Sequence, residues 1–126
     1  SVFEGYTLRI DESHQKGKAD TSGTAKAMVT YFNMLGIPFM PEQIKMERSP
    51  ERQRAMGIPD EHLNGHGWHT STLISGDGTV LFKFTHNVNG RDVYALGTID
   101  AIRYLNARVS EGNKSKVYSM IDVLKG

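Results

Sequence analysis

The segment between Glu12 and Thr24 holds the densest group of reactive side chains in the sequence. Within it, Glu12 and His14 are two positions apart, so in an extended strand their side chains point to the same face. A carboxylate beside an imidazole fixes the tautomer of the ring and stabilises its protonated form, which prepares a general acid near neutral pH. Lys18 offers a second proton donor in the same segment. This combination predicts proton donation to a bound substrate.

A candidate anion site follows at Ser22, Gly23 and Thr24, immediately before a stripe of apolar residues at helical spacing. The N-terminus of a helix presents free backbone N–H groups and carries about half a positive charge. Glycine lets a ligand approach the backbone closely, and the two hydroxyls add hydrogen-bond donors. We therefore expect this turn to bind a carboxylate or a phosphate. The alternative is that Ser22 serves only as the N-cap of the helix.

The strand that leads into this segment is predicted from alternation at its start. Tyr6, Leu8 and Ile10 alternate with polar residues, which is the period of two typical of a half-buried strand, and we expect the strand over residues 6–11. If the alternation continues past Ile10, Glu12 and His14 share the face of Tyr6 and Leu8. The reactive segment then lies beyond the carboxyl end of a strand, where ligands commonly bind in α/β arrangements.

The rest of the pattern predicts an α+β fold, with a mixed β-sheet that contains a long hairpin and is flanked by two main helices. Gly76-Asp77-Gly78 is the turn signal of that hairpin. The elements expected after the first strand are, in chain order, a helix over residues 25–35, a strand over residues 43–47, a short helix after Ser49, strands over residues 65–75 and 79–86, and a helix over residues 96–109. Residues 117–124 form a final apolar segment.

Composition argues against several classes of protein. The length of 126 residues suits one domain, and 15 basic against 14 acidic residues give no bulk charge for nucleic acid or an anionic membrane surface. The sequence has no cysteine, so neither a disulfide nor a thiolate metal site can form. No apolar run approaches the roughly 20 residues of a membrane span. Because the chain starts at Ser1 without a methionine, we expect a processed protein or a piece of a longer one.

The reactive segment resembles the signature loop of dihydrodipicolinate reductases, in which Glu-x-His-His, Lys, Asp and Ser-Gly-Thr-Ala occur in that order. Here the matching residues are Glu12-Ser13-His14-Gln15, Lys18, Asp20 and Ser22-Gly23-Thr24-Ala25. Later landmarks are similar as well, so that the resemblance covers nearly the whole chain: Phe84-Thr85-His86 with Arg91, residues 97–101 and residues 118–124. The plant-like branch is the most similar, because its loop has Gln after the histidine and lacks a proline before Ser-Gly-Thr.

The resemblance implies a reductase of 4-hydroxy-tetrahydrodipicolinate, a cyclic dicarboxylate of the diaminopimelate route to lysine, with NADPH or NADH as cofactor. His14 and Lys18 would be the catalytic proton donors, and Glu12 would orient His14. The implied substrate-binding residues are Gln15, Ser22, Gly23 and Thr24. Gln15 replaces a second histidine of bacterial members, and it can hydrogen-bond but cannot change charge. Arg91 would approach the cofactor or a substrate carboxylate.

The same resemblance implies that residues 1–126 are the C-terminal domain for substrate binding, catalysis and oligomerisation. The sequence has no Gly-x-Gly-x-x-Gly turn, so the cofactor would be bound mainly by an N-terminal domain absent from this chain, and the chain alone would be inactive. The family assembles homotetramers through the sheet of this domain. We expect a cytoplasmic protein, or one of the plastid stroma if the source is a plant.

Two other readings compete with this one. His62, His66 and His69 could bind a metal, but Gly65 and Gly67 break the helical spacing that such a site needs, and we expect no metal. The hairpin could instead make the chain a non-catalytic assembly module, pairing between subunits through exposed edges. The residues that favour this are Trp68, Val80, Phe82 and Phe84. His86 shares the face of Val80, Phe82 and Phe84, and we expect it to be a hydrogen-bonded core histidine.

Overall fold

The computed structural model describes residues 2–113 and 115–126. These residues divide into two compact units, one that ends at Gly90 and one that comprises Arg91–Gly126. The first unit contains a mixed four-stranded sheet with helices, and the second is helical. The predicted α+β class is therefore confirmed.

The sheet has the strand order β2-β1-β3-β4. Strand β2 runs parallel to β1, whereas β3 is antiparallel to both β1 and β4. The first strand continues past Ile10 to His14, so Glu12 and His14 belong to the strand and not to the loop that follows it. The bounds of the strands are Thr7–His14 for β1, Lys45–Glu47 for β2, His66–Ile74 for β3 and Leu81–Asn89 for β4.

Helix α1 covers Gly23–Met34 and packs its apolar stripe against the sheet. Ala25, Val29 and Phe32 are buried with Ile10 of β1 and Leu73 of β3, because residues four and three positions apart share one face of a helix. The helix ends as predicted at Gly36, whose φ of +81° is a conformation that glycine adopts without a steric penalty. A short helix α2 follows at Pro50–Ala55.

The register of β1 and β3 places the reactive residues at one end of the core. On the face that packs against α1, Ile10 lies opposite Ser71, Glu12 lies opposite His69 and His14 lies opposite Gly67. Alternate residues of a strand share a face, so this face changes from apolar at Ile10 to ionisable at Glu12 and His14. The layer between the sheet and α1 is therefore apolar around Ile10 and becomes polar at the carboxyl end of β1.

The predicted long hairpin is confirmed, and β4 is the edge strand of the sheet. Its turn is stabilised by the exposed carboxylate of Asp77, which accepts hydrogen bonds from the Ser75 hydroxyl and from the backbone and hydroxyl of Thr79. These bonds, led by that of Ser75, lower the pKa of Asp77 to about 2.

The expected burial of His86 is wrong, because its side chain is exposed in the described structure. As the edge strand, β4 has a neighbour on one side only, and α1 covers its inward face in part. Phe84 lies 6.2 Å from the ring of Phe32 and is still 51% exposed. His86 lies one alternate position further along the same face, stacked at 5.9 Å on the ring of His69.

The second unit is formed by helices α3, Asp92–Ser110, and α4, Met120–Lys125. The apolar spacing predicted α3, whereas α4 lies in the final apolar segment, to which no element was assigned. Helix α4 begins with a capping box, in which Ser119 and Asp122 satisfy each other's backbone N–H groups. Tyr118 packs edge-on against Tyr104 of α3, with ring centres 5.4 Å apart. Among the described residues, the helices are too short or too polar to cross a membrane.

Candidate active site

Glu12 and His14 form an ion pair at the end of β1. The Glu12 side chain is fully buried, and its Oε2 contacts Nδ1 of His14. A carboxylate oxygen accepts, so Nδ1 of His14 carries the proton of this contact and Nε2 is the nitrogen left for a substrate. The extended backbone of β1 puts both side chains on one face, which is the arrangement that the sequence spacing predicted.

Arg48, which the sequence analysis missed, holds the other oxygen of Glu12. Its Nη2 donates to Oε1 at 2.5 Å, its Nε donates to the Lys18 carbonyl at 2.9 Å, and its Nη1 donates to the Glu47 carbonyl at 2.9 Å. One guanidinium thus connects the end of β1, the end of β2 and the loop that carries Lys18. The only sequence signal was a basic residue directly after a short predicted strand.

The charge state of Glu12 follows from two opposing effects. Burial by itself would raise the pKa of this carboxyl, but hydrogen bonds from His14 and Arg48, together with their charges, hold the pKa below its usual range. Glu12 is therefore ionised at neutral pH. A buried carboxylate that contacts an imidazole stabilises the protonated ring, which is the state that a proton donor needs.

Lys18 lies in the loop between β1 and α1. Its Nζ donates to Oδ1 of Asp20 at 3.0 Å, and the hydrogen bond and charge of Lys18 lower the pKa of Asp20. The backbone turns here, with the Lys18 N–H donating to the Gln15 carbonyl at 3.0 Å. Gln15 itself is partly exposed at the start of the loop.

The Ser-Gly-Thr turn opens α1, but Ser22 does not cap the helix with its side chain. Its hydroxyl is buried and is hydrogen-bonded to Nε2 of His69 at 2.8 Å. Gly23 and Thr24 are exposed, and a Cβ added to Gly23 would meet no atom within 4 Å. No acidic side chain lies in the first turn of α1, so the partial positive charge of this helix start remains available to an anion.

His69 lies between the ion pair and the turn. Its ring is 5.2 Å from that of His14 at an interplanar angle of 67°, and it is 8% exposed. Burial lowers the pKa of His69, and the neighbouring His14 lowers it further. His69 is therefore neutral at neutral pH, and its hydrogen bond to Ser22 links the strand face to the start of α1.

The three histidines considered as a metal site do not converge. His66 donates from Nδ1 to the carbonyl of His62 at 2.9 Å, and its Nε2 is hydrogen-bonded to the Ser13 hydroxyl at 2.8 Å. Because both ring nitrogens are occupied, this buried ring has no atom left for a metal; burial also lowers its pKa.

Among the described residues, the side chains of Glu12, His14 and His69 offer metal-ligand atoms within 4.8 Å of one another. Both carboxylate oxygens of Glu12 already contact N–H groups, of His14 and of Arg48. A metal ion would have to break these charge-assisted contacts and lie beside a guanidinium. The donor set therefore favours proton chemistry over metal binding.

Gln53 is a second residue that the sequence analysis missed. This side chain of α2 is 1% exposed, and its Nε2 donates to the carbonyls of His14 at 2.7 Å and Glu47 at 3.2 Å. It fixes the backbone of His14 at the end of β1. Arg91, the expected cofactor contact, lies in the second unit, at the N-cap of α3.

Comparison with known proteins assigns the chain to a family. Residues 1–124 match the family described as "Dihydrodipicolinate reductase, C-terminus". The chain belongs to this family. The resemblance seen in the reactive segment is thus confirmed over nearly the whole chain.

Individual relatives agree with the family. The chain is 48% identical to a probable 4-hydroxy-tetrahydrodipicolinate reductase 1, chloroplastic, of rice, and 45% identical to the chloroplastic 4-hydroxy-tetrahydrodipicolinate reductase 2 of Arabidopsis thaliana. Each match covers 98% of this chain and 36% of the relative. A reductase of Methanobrevibacter smithii is 30% identical, over 98% of this chain and 45% of that protein. The chain therefore spans between about a third and a half of the length of these relatives.

Proposed function

We propose that this chain is the substrate-binding half of a reductase that acts on 4-hydroxy-tetrahydrodipicolinate in the diaminopimelate route to lysine. One observation carries the proposal: the pair of His14 and the buried Glu12 lies on β1, near a helix start whose first turn has no acidic side chain to neutralise its partial positive charge. A proton donor next to an anion site suits the reduction of a ring that bears carboxylates.

The described residues provide no dinucleotide fingerprint of their own. Gly65 and Gly67 lead into β3 instead of opening a helix. We therefore place NADPH or NADH mainly on an N-terminal domain outside this chain, with Arg91 as the residue here that would approach it. The cofactor supplies a hydride to the substrate; the residues of this chain bind the dicarboxylate and donate the proton.

Proton donation falls to His14 and Lys18. As a ring double bond to nitrogen is reduced, negative charge develops toward that nitrogen, and a nearby acid lowers the barrier by neutralising the charge as it forms. Nε2 of His14 is the ring nitrogen that Glu12 does not contact, so it would donate the proton. The Glu12 carboxylate would stabilise the protonated ring before that transfer. Lys18 can exchange its contact with Asp20 for a substrate carboxylate.

The first turn of α1 is the proposed carboxylate site. Gly23 and Thr24 are exposed there, whereas the Ser22 hydroxyl is hydrogen-bonded to His69. The backbone N–H groups of Gly23 and Thr24 and the Thr24 hydroxyl would bind the carboxylate. Ser22 would therefore contribute to binding mainly by stabilising the turn. Only its backbone, and not its hydroxyl, would contact the substrate. Gln15 would add a neutral hydrogen bond to the substrate.

Gly23→Ala tests this site directly. Apart from the neighbouring residues of its own helix, the added methyl group meets no atom of the described residues within 4 Å. Alanine also favours a helix more than glycine does, so the fold is expected to be unchanged or slightly more stable. The methyl group occupies the space through which a carboxylate reaches the backbone. We expect the affinity for pyridine-2,6-dicarboxylate, measured by calorimetry, to fall about ten- to hundredfold, the range for one misplaced methyl group in a pocket.

Gly17→Ala is the matched control, because its Cβ also meets no atom within 4 Å but lies outside the turn. Unchanged affinity in Gly23→Ala would move the carboxylate site elsewhere. Failure of the unmodified chain to bind any dicarboxylate would favour the non-catalytic assembly module instead.

Assembly and location complete the proposal. A homotetramer formed through the sheet is supported by β4, an edge strand whose Phe82 and Phe84 are 42% and 51% exposed. Light scattering at micromolar concentration is expected to give four times the mass of the chain, and a monomer would contradict it. For a plant source we propose the plastid stroma, which the chloroplastic names of the plant relatives support. For any other source we propose the cytoplasm.

A further inference from the structure

We propose that Gly67 is a positioning residue for the reaction: its missing side chain leaves the space in which the imidazole of His14 stands with Nε2 accessible to substrate. The inference rests on the proposed function of His14. Gly67 lies in β3 directly opposite His14 of β1. From sequence, Gly67 was interpreted only as a break in the spacing of His62, His66 and His69.

A side chain at this position would crowd the ring of His14, which would have to shift by a few tenths of an ångström. A Cβ built on Gly67 lies 3.2 Å from Nε2 and 3.7 Å from Cδ2 of His14, and 3.8 Å from Cε1 of His69. The first distance is shorter than the 3.5–4.0 Å that is optimal for non-bonded heavy atoms, as an approximate range. The methyl group of an alanine would enter the corner between the two imidazoles.

The backbone does not explain the glycine. Gly67 is not among the residues with positive φ, so its strand conformation is one that any residue adopts. Glycine in the interior of a strand weakens it, and where it occurs it often marks the close approach of another group. Here the approaching group is the His14 ring. The residue is therefore glycine because the ring lies close to the place that a side chain at position 67 would take.

The His14 ring has little freedom to move away from an added methyl group. Its Nδ1 contacts Glu12, whose other oxygen is held by Arg48, and its backbone carbonyl accepts from Gln53. The His69 ring stands edge-on beside it. A methyl group at position 67 would therefore either displace Nε2 or occupy the place beside Nε2 that an acceptor atom of the substrate needs.

The test compares Gly67→Ala with Gly65→Ala in the two-domain reductase that carries this chain. Gly65 is the control because it is two positions away, lacks positive φ and has no atom within 4 Å of an added Cβ. We expect Gly67→Ala to lower kcat by about tenfold, with a smaller change in KM. This is less than the roughly 10²-fold cost of a 1 Å misplacement, because the ring has to shift by only a few tenths of an ångström. Gly65→Ala is expected to keep kcat within about twofold, since it approaches no reacting group.

Two further readouts separate positioning from a general structural effect. In a His14→Ala background, Gly67→Ala should lower kcat no further, because the ring it displaces is gone. In the 126-residue chain, the ¹⁵N chemical shift of His14 Nε2 should move in Gly67→Ala and not in Gly65→Ala. If Gly67→Ala does not fold, recovery of folding in the double variant with His14→Ala supports the crowding of the His14 ring, and no recovery overturns it.

The outcomes distinguish this inference from the proposed function. Unchanged kcat and unchanged ¹⁵N chemical shifts of His14 in Gly67→Ala would overturn the role of Gly67. The proposed role of His14 in the reaction would still stand if His14→Ala loses turnover. Full turnover in His14→Ala would instead remove His14 from the proposed chemistry. The chemical shifts would still decide whether Gly67 positions its ring.

Discussion

Replacing His14 with alanine is expected to lower kcat of the proposed full-length reductase by about 10²- to 10⁴-fold, the range for losing a general acid. The reason is geometric: Nδ1 is turned to the buried Glu12 carboxylate, so Nε2 is the nitrogen from which a proton can leave. KM should change less, because the proposed carboxylate site at Gly23 and Thr24 is on α1 and does not depend on the imidazole. Folding should survive, since His14 is partly exposed.

Lys18→Ala gives the matching experiment. If Lys18 and His14 act on the same developing charge, each change alone lowers kcat and the double change is less than multiplicative. Lys18 can also pair with a substrate carboxylate before reaction, because its present partner is the exposed Asp20. Loss of that pairing would raise KM in Lys18→Ala, whereas His14→Ala chiefly lowers kcat.

Steady-state kinetics over pH 5–9 measure both effects. The profile of His14→Ala should lose the limb that falls in the histidine range, and the profile of Lys18→Ala should keep it. Near wild-type turnover in His14→Ala, with that limb still present, would defeat the assignment and leave Lys18 or a water molecule as the proton source.

Local patterns were sufficient to predict the elements that present this site. The alternation of Tyr6, Leu8 and Ile10 predicted β1, and extending it placed Glu12 and His14 on one face, where they pair. The apolar stripe behind Ser22 predicted α1, whose first residues Gly23 and Thr24 are exposed. Anion binding at this helix start stays a prediction. These features depend on neighbours two to four positions apart, which is the range over which strand and helix periodicity acts.

Periodicity could not identify the residues whose contacts with the site join distant parts of the sequence. Arg48 reaches Glu12 across 36 positions and Gln53 reaches His14 across 39. In sequence, Arg48 resembles the solvated Arg52 and Arg54 that follow it. Only the parallel pairing of β2 with β1 brings its guanidinium to a buried carboxylate.

The roles of Ser22 and Gly67 depend on residues that are far away in sequence and close in the folded sheet. A serine before a helix is most often an N-cap, yet the Ser22 hydroxyl bonds to His69, 47 positions away. A glycine within a strand predicts close approach of some group, but the register of β1 and β3 was needed to identify that group as His14. Their roles follow from strand pairing, which periodicity alone does not fix.

Arg48→Met is expected to cause the largest loss of stability, about 3–5 kcal/mol, the range for breaking a buried ion pair by removing one partner. The variant leaves the buried Glu12 carboxylate with His14 alone and removes the hydrogen bonds to the Lys18 and Glu47 carbonyls. Denaturant unfolding at pH 7 measures the change. Arg52→Met is the control, because Arg52 is 75% exposed and lies 3.5 Å from Glu47, a surface pair worth about 1 kcal/mol or less.

The pH dependence of that loss identifies its cause. In the wild type the pKa of Glu12 is below its ordinary value of about 4.3, so its contribution to stability is present at neutral pH and is lost as the pH falls through and below that value. In Arg48→Met, Glu12 is still buried but the positive charge of Arg48 is missing. The pKa of Glu12 therefore rises, and its carboxyl is protonated at a higher pH than in the wild type. The stability difference between the two proteins should therefore narrow between pH 7 and pH 3. A constant difference would assign the loss to the carbonyl hydrogen bonds of Arg48 instead of its pairing with Glu12.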